Sequence, residues 1–324
     1  MRCPGSHAVG VFVLLLTTVS VWADARRYEK EEAPVRLDAQ GEVTVAILDS
    51  GMDFLHPVLN SLARRDGYNF GDCGAERLEQ SLPCAHGRPQ DRLGHGTRVA
   101  RLLIDDSYAE FFRQGWGRRL RLLPFKVNPG LMDDFEPDTV AAALRAATAA
   151  GASVINLSLS MPNLAPAQRG LVGAALQQAL DAGVAVVVAA GNKPGELEFP
   201  ATWPGVIAVA ALEPSGRLWR GSSWAPAVSI AAPGWIADSA SGPHVLGTSF
   251  AAPRVAAAIA KLLMMEPGLS SAAALAVLRN TARPIPNQPS LGFGALDAER
   301  ALQQVRALGW PRDADAPASP EVLH

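Results

Sequence analysis

The sequence predicts an α/β fold in three layers, with a mostly parallel central sheet flanked by helices. Short β-branched apolar runs recur along the chain, and helical stretches separate several of them. Strand, helix, strand, helix in that order makes parallel neighbours with helices on both faces. The runs are also apolar on both sides instead of alternating, as strands buried on two faces must be. Composition agrees: of 324 residues, 48% are hydrophobic, 19% charged and only 6% aromatic. Many small side chains and few aromatics suit a tightly packed core, not a disordered chain.

The elements follow in chain order. Arg2, the apolar run Val9–Val21 and the small residues Ala23 and Ala25 make residues 1–25 an export signal. The alternative is an uncleaved N-terminal anchor, although the run is short for a bilayer. Residues 26–41 are polar and charged, which predicts an exposed lead-in. Residues 42–308 then form a single domain, with no internal repeat and no dividing linker. Expected strands are Val43–Leu48, Leu120–Val127, Ser153–Leu159, Val184–Ala190, Val206–Ala211 and Val228–Ala231. Expected helices are Pro137–Ala150, Pro166–Ala182, Ser249–Met265, Ser270–Ala282 and Ala295–Leu308. Residues 309–324 are Pro-, Ala- and Asp-rich and are expected to be disordered. No later stretch reaches the length of a membrane span without a charge or a Gly/Pro break.

A formal net charge of −2 offers no basic field for nucleic acid. Three cysteines are present, and Cys3 falls in the signal. That leaves Cys73 and Cys84, which in an oxidising compartment would pair across a short loop; in a reducing one they would be two free thiols. The export signal favours the disulfide and a secreted or periplasmic location. No EF-hand loop and no His/Cys cluster spaced for zinc is visible, so no metal site is assigned.

Hydrolysing an amide at neutral pH requires a nucleophile, a base, a group that orients the base and donors aimed at the developing oxyanion. Asp49 ends an apolar strand before Ser50-Gly51, at the carboxyl edge where α/β sheets bind ligands; Asp-Ser-Gly is equally an ordinary turn. His95 stands between glycines in Gly94-His95-Gly96-Thr97, ahead of the helical pattern of Val99, Leu102 and Leu103. The glycines leave its imidazole uncrowded, though a loop histidine would look similar. His56 and His86 read as ordinary loop residues. Ser249 lies in Gly247-Thr248-Ser249-Phe250-Ala251-Ala252-Pro253, where the first turn of a buried helix leaves N–H groups able to face an oxyanion. Pro253 is expected in that first turn, where no helical N–H is lost. A lone serine there would read as a cap. Asn192 follows the strand and Gly191, placed to offer an amide donor or to make a turn.

Together, Asp49-Ser50-Gly51, Gly94-His95-Gly96-Thr97, Ala189-Ala190-Gly191-Asn192 and the Ser249 string resemble the signatures of the subtilisin-like serine proteases. Val154-Ile155-Asn156-Leu157-Ser158-Leu159, Pro200 through Val209, Ser222-Ser223 and Ala232-Pro233-Gly234 are similar as well, so the resemblance spans about residues 42–305. It implies a serine endopeptidase of subtilisin-like fold. Asp49, His95 and Ser249 would be its triad, with the Asn192 amide and the Ser249 N–H as oxyanion donors. It implies a polypeptide substrate bound in extended form along the edge Leu157–Ser160, with Ser158, Leu159, Ser160, Ala190 and Gly191 as substrate-binding residues and Glu198 near the base of the primary specificity pocket. The family also allows structural calcium, but no ligands for it are placed here and no other cofactor is expected. Oligomeric state is not legible.

The departures matter too. Little more than residues 26–43 stands between the signal and the domain, too short for a folded propeptide core. Arg98 and Arg101 replace residues that are commonly His and Gly, and would crowd the packing or face an acidic partner. Ser160 stands where glycine is frequent. Glu198 implies a preference for Arg or Lys before the cleaved bond, by charge pairing; a solvated loop glutamate is the plainer reading. A catalytically silent binding protein on the same scaffold is the competing reading. An α/β-hydrolase requires Gly-x-Ser-x-Gly and a dinucleotide site Gly-x-Gly-x-x-Gly, and neither occurs at the required place.

Overall fold

A computed structural model describes residues 42–60, 67–73, 75–84, 88–104, 120–128, 135–237, 244–285 and 294–307. The signal, the lead-in, the C-terminal tail and His86 lie outside the described residues. Seven strands make one parallel sheet: β1 (Val43–Asp49), β2 (Tyr68–Asn69), β3 (Leu120–Lys126), β4 (Val154–Leu157), β5 (Ala185–Ala189), β6 (Ile207–Leu212) and β7 (Ile230–Pro233). Their order is β2-β3-β1-β4-β5-β6-β7. A small antiparallel pair, β8 (Trp235–Ala237) and β9 (His244–Leu246), stands apart.

The helices are α1 (Pro57–Asn60), α2 (Ala75–Glu79), α3 (His95–Leu103), α4 (Pro137–Ala149), α5 (Pro166–Asp181), α6 (Thr248–Met265), α7 (Ser271–Thr281) and α8 (Ala298–Ala307). Alternate strand residues serve opposite layers, as the pleat demands. Val43, Val45 and Ile47 of β1 join the core beneath α3, α6, α7 and α8. Ala46 and Leu48 join the core beneath α4 and α5. Helix α6 is buried on nearly all sides, Lys261 included, because the sheet and its neighbouring helices enclose it.

The path of the chain fixes where a ligand can bind. From β1 it runs outward to β3 on one side, then crosses back to β4 on the other. The carboxyl ends of β1 and β4 therefore border a topological switch point, the crevice in which such sheets take their ligands.

Several boundaries differ from expectation for local reasons. The last helix begins at Ala298, because Ala295 and Leu296 bond to Arg283 and Ala231 and the Asp297 carboxylate then accepts the Arg300 N–H. Strand β7 begins two residues late, because Val228 N closes a turn onto Ala225 O and Ser229 Oγ accepts Ala208 N. Ser270 proves to be the cap of α7, its hydroxyl accepting the Ala273 N–H at 3.1 Å. The short elements β2, α1, α2, β8 and β9 were not anticipated, being too brief to carry a periodic signal.

Pro253 is a correction. Helix α6 starts at Thr248, so Pro253 lies past the first turn, inside the helix. It cannot donate to Ser249 O as a fourth-residue neighbour should. The Ser158 hydroxyl donates to that carbonyl instead, at 2.9 Å. A bond lost to proline inside the helix is replaced by one from the end of β4.

Candidate active site

Asp49 is the last residue of β1 and its side chain is buried. Its Oδ1 accepts the Ser50 N–H at 2.7 Å and lies 2.8 Å from His95 Nδ1. A carboxylate offers no proton there, so Nδ1 carries the hydrogen, and in the neutral ring Nε2 then presents a lone pair. His95 opens α3, a quarter exposed at 26% of its side chain, so its ring has buried support and an open edge.

The approach of α3 to the β1 turn depends on a missing side chain. A Cβ on Gly96 would overlap the Gly51 carbonyl oxygen and stand 3.1 Å from Asp49 Oδ1. Phe250, the residue after Ser249, holds its ring 5.7 Å from the His95 ring, centroid to centroid. The first turns of α3 and α6 thus meet beside the carboxyl end of β1. Ser249 is the second residue of α6, where no earlier helical carbonyl exists for its N–H.

Asn192 follows β5 on an exposed loop, with its amide held from one side. Its Oδ1 accepts the Thr248 N–H at 3.0 Å and the Thr248 hydroxyl at 2.9 Å. With the oxygen so occupied, the amide nitrogen must face the other way. The Thr248 hydroxyl in turn accepts the Gly191 N–H at 3.2 Å. Thr248 is a residue that sequence reasoning missed as anything but part of a string; its place beside the serine, at the first helical position, was the available signal. Asn156 Nδ2 donates to Ser158 Oγ at 2.9 Å, which completes a line from β4 to Ser249 O.

A family model described as the Subtilase family matches residues 40–309. The chain belongs to the subtilase family. Subtilisin Savinase of Lederbergia lenta is 30% identical over 270 residues, covering 81% of this chain and 91% of that protein. The Thermophilic serine proteinase of Bacillus sp. (strain AK1) is 30% identical over 227 residues, 67% of this chain and 51% of the relative. The Alkaline protease of Alkalihalobacillus alcalophilus is also 30% identical, over 81% of this chain and 64% of the relative. The chain thus spans about half the length of one of these relatives and under two thirds of another. Among solved structures, the Epidermin Leader Peptide Processing Serine Protease of Staphylococcus aureus has a TM-score of 0.66 at 20% identity, over 85% of this chain and 77% of that one. A protease of Pseudoalteromonas arctica has a TM-score of 0.64 at 22% identity, over 87% and 97%. These two share its fold.

The remaining candidate residues of this subtilase divide by location. Ser158 and Leu159 are buried, Ser158 by its bond to Ser249 O and Leu159 in the core beneath α4 and α5, so only their backbone could serve a substrate. Strand β4 lies inside the sheet, and Ser158–Ser160 continues past its last paired residue, Leu157, instead of forming an outer edge. Ala190 is buried, and Gly191 adopts φ 115°, with its carbonyl accepting the Ser223 N–H at 2.9 Å.

Glu198 is not a solvated loop residue: its side chain is 10% exposed. Its Oε2 accepts the Asn192 N–H at 3.2 Å, and its Oε1 lies 3.6 Å from Nζ of the exposed Lys193. It borders a cavity of about 480 Å³ shared with Lys193, Phe199 and Arg169. The Arg169 guanidinium lies 4.7 Å over the Phe199 ring and donates to Thr202 Oγ1.

Arg98 and Arg101 do not crowd the packing. The buried face of α3 is Gly96, Val99, Ala100, Leu102 and Leu103, and Arg101 points to solvent. Cys73 and Cys84 are joined in a disulfide with Cα atoms 5.0 Å apart. Beside it, Asp72 accepts from Asn69 and pairs with buried Lys126 Nζ at 3.1 Å. Burial pushes the Asp72 carboxyl up, but the Asn69 and Lys126 bonds outweigh it and hold it below the ordinary carboxylate range. Among the described residues, no three His, Cys, Asp or Glu side chains gather as a metal site.

Proposed function

We propose that this chain is a serine endopeptidase with Ser249 as nucleophile, His95 as general base and Asp49 as the group that orients it. One observation carries the reading: the 2.8 Å contact of Asp49 Oδ1 with His95 Nδ1, formed where the Ser249 helix begins. Asp49 holds the imidazole in the tautomer whose Nε2 can take the Ser249 proton. The freed alkoxide attacks the scissile carbonyl, and the developing oxyanion is met by Asn192 Nδ2 and the Ser249 N–H. His95 then gives the proton to the leaving amine as the C–N bond breaks. A water that loses its proton to His95 hydrolyses the resulting Ser249 ester, and the proton returns to Ser249 as the acid leaves. The extended substrate lies along the backbone of Ser158–Ser160. The N-terminal apolar run and the Cys73–Cys84 bond support export to an oxidising compartment.

The expected outcome is covalent labelling of the purified protein by a fluorophosphonate, abolished in Ser249→Ala and in His95→Ala. A folded protein that takes no label would be a binding scaffold and not a peptidase. Glu198 supports a preference for Arg or Lys before the cleaved bond, because its largely covered carboxylate is one hydrogen bond from the Asn192 backbone. Lys193 already stands near that carboxylate, so a substrate cation would replace it. A peptide library should be cleaved best after Arg and Lys, with the preference lost in Glu198→Gln. Equal cleavage after Leu or Phe would remove the assignment.

A further inference from the structure

We propose that Asp91 is a positioning residue of this site, tying the Asp49 turn and the His95 helix into one unit through Ser50 and Thr97. The inference rests on the triad reading above. Asp91 touches no reacting atom; it acts on the groups that carry Asp49 and His95.

Its carboxylate accepts five hydrogen bonds. Oδ1 takes Ser50 Oγ at 2.8 Å, Leu93 N at 3.0 Å and Gly94 N at 2.8 Å. Oδ2 takes Thr97 N at 2.8 Å and Thr97 Oγ1 at 2.6 Å. Each hydroxyl passes a bond onward. Ser50 Oγ accepts the Gly96 N–H at 2.9 Å, and Thr97 Oγ1 accepts the Asp53 N–H at 3.0 Å.

The need for this arrangement begins with the cap of α3. The first N–H groups of a helix have no partner within it, and an Asp, Asn, Ser or Thr at the cap position ordinarily supplies one. Here the cap is Gly94, which has no side chain to offer. Asp91 and Ser50 serve from outside the helix, taking the N–H groups of Thr97 and Gly96. His95 is therefore flanked on both sides by backbone held to Asp91. Ser50 also donates its own N–H to Asp49 Oδ1 at 2.7 Å, the same oxygen that meets His95. Both ends of the Asp49–His95 contact are thus referred to one carboxylate, although the two residues are 46 positions apart. Burial pushes the Asp91 carboxyl up, but the bonds from Thr97, Ser50 and Gly94 outweigh it and hold the pKa below the ordinary value, so it is an anion at neutral pH.

The test compares Ser50→Ala, Asp91→Ala and the double variant in the full chain. The readout is kcat per site titrated with fluorophosphonate, with KM measured alongside. Misplacing a reacting group by about 1 Å lowers rate about 100-fold, so Asp91→Ala should lose kcat by about 10- to 100-fold. Ser50→Ala, which keeps the bonds of Asp91 within the loop, should lose about 10-fold, with KM within about two-fold in both. Because both act through one network, the double variant should be no slower than Asp91→Ala alone. Thr97→Ser, which keeps the hydroxyl, should hold near wild-type kcat while Thr97→Val falls.

A purely structural role would lower the melting temperature and the titratable fraction but leave kcat per site intact; that result, in Ser50→Ala and Thr97→Val alike, overturns the proposal. So do losses that multiply in the double variant. If Asp91→Ala fails to fold, Ser50→Ala and the Thr97 pair still decide. Wild-type protein that takes no label would sink the triad reading itself, a result distinct from any of these.

Discussion

Gly191→Ala tests how closely the proposed oxyanion side of the site is built. Gly191 has φ 115°, a region that side chains avoid. A Cβ there would stand 2.6 Å from Glu198 Cγ, 2.6 Å from Glu198 Oε2 and 2.7 Å from Ser223 Oγ. Ordinary carbon–carbon contact begins near 3.5 Å, so the neighbours must yield by roughly 0.9 Å. They are poorly placed to yield. Glu198 is held by Asn192 N and by its own N–H to Ala190 O, and Ser223 is held by Gly191 O and Lys193 O.

The displacement therefore falls on the Gly191–Asn192 peptide. A shift near 1 Å at the proposed oxyanion donor predicts a loss of about 100-fold in kcat/KM, or ~2.7 kcal/mol of transition-state stabilisation. The backbone strain adds roughly 1–2 kcal/mol to folding, and the overpacking roughly 1–3 kcal/mol. Hydrolysis of a chromogenic peptide anilide, corrected for titrated sites, reads the first; differential scanning calorimetry reads the second. Truncating Glu198 as well, in Gly191→Ala/Glu198→Ala, should recover part of the stability loss, because it removes the Glu198 contacts but neither the Ser223 contact nor the torsion. A Gly191→Ala protein within three-fold of wild-type kcat/KM and unchanged in melting temperature would refute the reasoning.

Three further outcomes follow from the same geometry. Thr248→Val removes the hydroxyl that Asn192 Oδ1 accepts from and Gly191 N donates to; kcat should fall about 10-fold with KM little changed, less than the roughly 10²–10³ measured for loss of the oxyanion asparagine in a member of this family. Asp91 and Asp72 are both held below the ordinary carboxylate range, so the stability they contribute is present above that range and is lost as pH falls through the lowered native values; acid unfolding followed by circular dichroism should be shallower in Asp91→Asn, which starts less stable at neutral pH. Replacing both cysteines with serine opens a disulfide of sequence separation 11, which should cost roughly 3 kcal/mol in denaturant titrations.

The sequence by itself determined the layers and nominated the groups proposed to react. Buried parallel strands must be apolar on both sides, so Val43–Leu48 and Val184–Ala190 were legible as strands from composition alone. Asp49, His95, Asn192 and Ser249 could be nominated because each sits at a strand end or helix start within a distinctive string. Tertiary structure alone decided what holds them. Pro253 lies inside α6, and Ser158 supplies the donor that it lacks. The amide of Asn192 is oriented by Thr248, 56 residues away, and Asp91 reaches the Asp49 turn through Ser50, 41 residues away. Glu198 proves largely covered beside the Asn192 backbone, a placement its local loop residues could not reveal. The physical reason is range. Periodicity and capping are set by neighbours within a turn or a strand, so they are written locally. A hydrogen bond between distant segments depends on the fold bringing donor and acceptor within about 3 Å, and no local pattern encodes that.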